Sequence, residues 1–198
     1  MTERTVCLSD WQVRAWLDKR LSVLFVPMKP QPRLRDELID HKNTLGCPAS
    51  EGFVWAGFKY PLCESKVYHK SPFSPGDTLL GKEAWGIDPN DWGEWWAMAY
   101  KTDFAPDHRY HWGWNSPVTM PREAVRIKMP VVSVGAVRVG DVTLDDARRA
   151  GIAGYTFARG CISDDPPDPR WKLIEYWNGK YSRYPWDTAW AWRLEVGG

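Results

Sequence analysis

The chain has 198 residues, 26 of them basic and 25 acidic, for a formal charge of +1. That length supports one domain with a sizeable core. The near-zero charge excludes a protein that coats duplex phosphates non-specifically, so a nucleic-acid ligand would have to be met at a local site. No run of about 18 apolar residues exists to span a membrane. The N-terminus lacks a signal peptide's apolar stretch. The four cysteines, Cys7, Cys47, Cys63 and Cys161, are scattered without metal-ligand or redox spacing. Reduced thiols in a cytoplasm are expected.

In chain order, the first signal is "SDWQ" at residues 9–12, a capping box in which Ser9 accepts from the Gln12 amide while the Gln12 side chain reaches back. The helix it opens places Val13, Trp16 and Leu17 on one face. Residues 21–26 are rich in branched and aromatic side chains and predict a strand. The proline- and charge-rich residues 27–52 predict a long loop with one helical turn near 35–41. "SPGD" at 74–77 predicts a turn, residues 78–85 a strand, residues 86–95 a loop, and "WAMAY" at 96–100 a strand. Residues 130–139 are strand-like, with an irregularity expected at Gly135. "TLDDARRAGI" predicts a helix with Thr143 as N-cap, acids in its first turn and Gly151 as its stop. Residues 171–177 predict a short helix ending at Asn-Gly, and residues 189–196 alternate as a final strand. Short strands with irregular connections predict a β-rich α+β fold, a small twisted barrel carrying a few short helices. One domain over 1–198 is expected, with 40–70 and 86–120 as loop insertions.

The segments "KPQP", "GDTLLGKEAW", "YKTD", "MPREAVRI", "LDDARRAGI" and "WNGK…PWDTAWAWRLEV" occur in that order along the chain. Together they resemble the ASCH-domain proteins of phages and prophages, whose members read "KPQP", "GDxLWVRETW", "MPRxASRI" and "INGKxxxxWxxNPWVWVxEF". The resemblance implies a PUA-like pseudo-barrel with a cleft suited to nucleic acid or a modified base. Some ASCH proteins resemble hydrolases of 4-acetylcytidine that use a lysine and a threonine after the first helix and a glutamate in a later one; others are reported as ribonucleases. Anchored on "KPQP", the lysine and threonine positions carry Leu21 and Leu24, with Ser22 keeping only a neighbouring hydroxyl, and aligning "DARRAGI" with the family's later helix puts Ala150 at the glutamate position. Amide hydrolysis needs an activated nucleophile and a proton carrier, and these three side chains supply neither.

Several further residues are candidates. Lys82, Glu83 and Trp85 would line a cleft strand, with Glu83 accepting from a base edge or holding an arginine and Trp85 stacking; the alternative is an internal ion pair beside a core tryptophan, because a carboxylate among apolar neighbours needs a partner. Arg122, Arg126 and Lys128 would form a basic rim, or else be solvated and paired with Glu123. Trp92, Trp95, Trp96, Trp112 and Trp114 would stack bases or grip a protein, whereas Trp190 and Trp192 are expected in the core. Asp107, His108 and His111 lack a completing ligand, so no metal is expected, and no cofactor. Lys172, Lys180 and Arg183 give a second local excess of positive charge. The expected function is a catalytically degenerate binder of single-stranded or modified nucleic acid or a nucleotide, in the cytoplasm of a bacterial host. The alternatives are a protein-binding inhibitor of a host defence system, and an active hydrolase or ribonuclease using groups such as Lys19, Ser22 and Glu83.

Overall fold

One strand organises the chain. In the computed structural model, which describes residues 2–29, 31, 37–39, 53–59, 63–69, 71–89, 96–105, 113–152 and 168–197, residues Ile127–Arg138 form an unbroken strand, β9. The other strands are β1 (Glu3–Cys7), β2 (Val23–Pro27), β3 (Glu37–Ile39), β4 (Phe53–Lys59), β5 (Cys63–His69), β6 (Thr78–Lys82), β7 (Trp85–Pro89), β8 (Trp96–Tyr100) and β10 (Trp190–Val196). The helices are α1 (Asp10–Leu17), α2 (Leu144–Arg149) and α3 (Arg170–Lys180). The fold is mixed α+β. Its principal sheet has the order β1-β6-β9-β10-β2 and does not close into a barrel. β6 pairs with the first part of β9 and β10 with the rest, so β9 belongs to both halves of the sheet.

Alternation along β10 explains why it holds the centre. Trp190, Trp192, Leu194 and Val196 project to one side, where they pack with Leu24, Leu79 and Met129. Ala191 projects to the other, where Val23, Phe25, Ala147, Leu173 and Trp177 form a second core under α2 and α3. Period-2 geometry thus feeds two cores from one strand. Trp190 and Trp192 are packing residues, as their spacing predicts.

The helices begin where the caps indicate. The backbone N–H of Ser9 donates to Gln12 Oε1 at 3.0 Å, and the Asp146 N–H donates to Thr143 Oγ1 at 3.1 Å. α2 gives way to Gly151 at φ +88°, the left-handed conformation glycine tolerates. On α1 the buried face is Gln12, Val13 and Ala15, whereas Leu17 is exposed, because the chain turns out of the helix at Asp18 and Lys19.

Other elements differ from the sequence reading. β1 is an additional strand, parallel to β6. Residues 37–39 are a strand rather than a helical turn, and β3, β4 and β5 form an antiparallel sheet of their own. The strand expected over 78–85 breaks at residues 83–84, where Glu83 is turned into the interior, and residues 85–89 pair with β8 as a hairpin. β9 starts three residues before the expected position and includes Pro130, which lies opposite Thr78 and whose carbonyl accepts from Gly197 N. Gly135 sits in regular register opposite Arg193, and the irregularity falls instead opposite Glu195 and Val196. α3 continues through Asn178 and Gly179 to Lys180. Buried Leu173 and Trp177, and the two hydrogen bonds of Lys180, outweigh the weak helix propensity of Asn-Gly.

Candidate functional site

Among the residues singled out in the sequence, Glu83 and Arg126 meet directly. Glu83 is fully buried, and the Arg126 fork donates to both of its oxygens, Nε to Oε1 at 2.8 Å and Nη2 to Oε2 at 3.1 Å. Thr102 Oγ1 donates to Glu83 Oε2 at 2.6 Å, and Asp103 accepts two further guanidinium bonds at 2.8 and 2.7 Å. The guanidinium carbon lies 4.0 Å from the centre of the Tyr100 ring, whose hydroxyl donates to Ala124 O. Burial alone would lower the Arg126 pKa, but its bonds to Glu83 and Asp103 raise it overall. Burial also raises the Tyr100 phenol. Trp85 lies half-buried against Leu80, Met120 and Val125, with its indole N–H donating to Thr119 Oγ1 at 3.3 Å. Glu83 is thus a buried carboxylate held by a partly exposed guanidinium, which also meets the exposed Asp103, beside a half-buried tryptophan.

The other members of the predicted rim are not part of this hydrogen-bond network. Arg122 pairs with Glu3. Lys82 reaches Val118 O at 3.4 Å, and Lys128 is an exposed residue of β9 opposite Leu80. Trp114 packs against Phe104, with ring centres 5.4 Å apart. Trp92, Trp95 and Trp112 lie outside the described residues, as do Asp107, His108 and His111; of Trp96 only its place in β8 is described.

The three positions tied to hydrolysis are apolar and closed off. Leu21, Leu24 and Ala150 are 3%, 3% and 2% exposed, and Leu21 and Ala150 face each other in an isolated antiparallel bridge. Ser22 is held in place as well: its N–H donates to Arg149 O, its carbonyl accepts from Val196 N, and its hydroxyl accepts from Arg149 Nε at 3.4 Å. Lys19 occupies the turn after α1, at φ +57°.

A concavity lies elsewhere. A cavity of about 720 Å³ is bounded by β1, by β2 and by the C-terminal end of α3 with the turn after it. Its size falls in the range of small-molecule sites, about 300–1,000 Å³. Leu24, Phe25, Phe73 and Trp192 form apolar lining, Tyr176, Tyr181 and Tyr184 add phenol rings, and Lys29, Lys180 and Arg183 supply positive charge. Among the described residues, no aspartate or glutamate lines it. Lys180 Nζ donates to Cys7 O at 2.7 Å and to Tyr176 Oη at 2.6 Å, and lies 5.1 and 5.4 Å from the Tyr176 and Tyr181 ring centres. Burial lowers its pKa to about 8, against a smaller opposing effect of Cys7. Burial raises the phenol of Tyr176, and that of Tyr181 to about 12.

Gln12, only 6% exposed, also lines this cavity. Its Oε1 accepts from Ser9 N, Ser9 Oγ and Tyr176 Oη, each at 3.0 Å. A backbone N–H can only donate, so the Ser9 bond fixes which amide atom is oxygen. The Gln12 NH₂ is left without a hydrogen-bond acceptor among the described residues.

Sequence reasoning found Lys180 and Arg183 as a local charge excess, but it did not place Gln12, Tyr176 or Lys29 with them. These come from α1, α3 and the end of β2, and only the pairing of β2 with β10 and the packing of α3 bring them together. Among the described residues, no helix is long and apolar enough to cross a membrane. No protein-family model, curated protein or solved structure matches the chain.

Proposed function

We propose that the chain is an ASCH-type, PUA-like binding protein of phage or prophage origin, catalytically degenerate and acting in the bacterial cytoplasm, which recognises single-stranded or modified nucleic acid or a nucleotide. The observation that carries this reading is the cavity beside β1 and β2. It offers three cations with no acidic lining residue among the described ones, aromatic faces for a base, and a carboxamide donor. Base-on-aromatic stacking contributes about 1–3 kcal/mol, and cations in a partly enclosed site attract phosphate more strongly than cations in open water. Leu21, Leu24 and Ala150 support binding without turnover, because no nucleophile or proton carrier stands where the resemblance would put one.

The test is a titration read by intrinsic tryptophan fluorescence, with Trp192 in the cavity wall as reporter. Single-stranded RNA, single-stranded DNA, cytidine and 4-acetylcytidine are added at low and moderate salt. Saturable quenching by at least one of them, weakened several-fold in Arg183→Ala, is the expected result. No response from any of them would overturn the reading. Release of acetate from 4-acetylcytidine would overturn its non-catalytic part.

Trp171 favours a second reading, a protein-binding inhibitor of a host defence system. It is 72% exposed on α3, and tryptophan is a frequent anchor at protein interfaces. Capture of a discrete host protein by the wild type and not by Trp171→Ser is the outcome that reading requires.

A further inference from the structure

Outside the cavity several described cations are neutralised, whereas others, such as Lys82 and Lys128, have no carboxylate partner among the described residues. Arg122 pairs with Glu3, Arg126 with Glu83 and Asp103, Lys101 with Asp10, and Arg20 with Asp18. Lys29, Lys180 and Arg183 have no carboxylate partner among the described residues. The cavity thus gathers three such cations in one concavity, where a single phosphate group can meet more than one of them.

Resting on the nucleotide reading above, we infer that the ligand of this cavity is a single nucleoside monophosphate, with its terminal phosphate on Lys180 and Arg183 and its base edge on the Gln12 carboxamide. A terminal monoester carries about −1.5 to −2 charges at neutral pH, against −1 for an internal diester, and so suits a cluster of cations better than a chain link does. The Gln12 NH₂ supplies two donors to the base, held in orientation by Ser9 and Tyr176. The aromatic wall of Tyr181 and Tyr184 gives the ring a face to lie on.

A pH dependence follows. Among the described residues, the groups around the Lys180 amine are the Cys7 carbonyl and thiol on β1, the Tyr176 and Tyr181 phenols of α3 and the turn after it, and Arg183; none of these is a carboxylate. With its free-state pKa lowered to about 8, Lys180 takes up a proton when it binds a dianion at higher pH. Affinity therefore falls as pH rises above about 8, by at most about tenfold per pH unit for one linked proton. In Lys180→Arg the side chain stays charged, and affinity is flat over that range.

The experiment titrates the full chain with the four nucleoside 5′-monophosphates, the matching nucleosides, inorganic phosphate, and a single-stranded oligonucleotide without terminal phosphate, from pH 7 to 9.5. At least one monophosphate is expected to bind tenfold or more tighter than its nucleoside and no more weakly than the oligonucleotide. Gln12→Glu keeps the acceptor that caps α1 but removes both donors and adds negative charge; it should lose at least tenfold in affinity with its melting curve preserved. Oligonucleotide binding without monophosphate binding would overturn this inference and leave the proposed function standing. Equal binding of inorganic phosphate and every monophosphate would overturn the nucleotide assignment. No binding by any probe would overturn both.

Discussion

At the scale of single residues, the Glu83–Arg126 pair decides what its cluster is for. A carboxylate taken wholly out of water must be paired, and the bidentate guanidinium with the Thr102 hydroxyl meets that need. Removing one partner leaves a buried charge uncompensated. Arg126→Met is expected to destabilise the fold by about 3–5 kcal/mol, measured by urea unfolding at pH 7, while Glu83→Gln with Arg126→Met recovers part of that loss. A fall of less than about 1 kcal/mol for Arg126→Met would show that water reaches Glu83. The need for a partner was legible in the sequence, because "GKEAW" sets a charge among apolar neighbours. Which partner was only half legible: Arg126 lies 43 residues along the chain, and the hairpin and turns between them bring it back. Gln12 was legible as a cap but not as a cavity donor, since capping is a local property and the cavity is assembled by packing.

At the scale of elements, β10 ties the helices to the sheet through charge as well as apolar packing. Glu195 accepts from Ser133 Oγ of β9, from Arg193 of its own strand and from Arg149 of α2, and Arg193 in turn donates to Asp146 of α2. The Ser133 hydroxyl, then Arg193 and Arg149, hold the Glu195 carboxyl down to about 2. Its folded pKa lies below its unfolded value of about 4.3, so its contribution is complete above that value and lost as pH falls towards 2. Glu195→Gln should therefore be less stable at pH 7 and show a shallower loss of stability between about pH 4 and 2, read from denaturant midpoints across pH. A parallel acid slope in the two proteins would contradict this. Gly151 marks the other junction, between α2 and α1. A Cβ placed there would lie 2.3 Å from Ala15 Cβ, at φ +88°. Gly151→Ala is expected to cost about 2–5 kcal/mol from left-handed strain and overpacking, measured by thermal or urea unfolding. The helix signals read well because caps and stops act within one turn, and β10 read well because its alternation serves two cores. β1 gave no such signal: "ERTVC" has no contrasting faces, and its pairing with β6 comes from residues far away. The Asn-Gly stop failed for the opposite reason, a local preference overruled by the packing of Trp177 and the tether of Lys180.

At the scale of the molecule, the α+β class was legible from the mixture of short alternating runs and capped helices. The strand order was not, because it depends on partners separated by most of the chain. The cavity is a product of that order. β1 and β2 lie at the two edges of the principal sheet, and α3 ends between them and the solvent.

The position of β10 has a consequence for how the chain is made. β10 is the last strand of the sequence order, yet it lies in the interior of the sheet between β9 and β2, with Phe25 opposite Arg193. During synthesis β2 emerges well before residues 190–196, which form its sheet neighbour among the described residues. Its apolar residues, Val23 to Val26, must wait for that partner. Closure of so long a loop makes the sheet a late and comparatively slow event. Insertion of β10 between β9 and β2 is therefore the step that joins the two faces of the core.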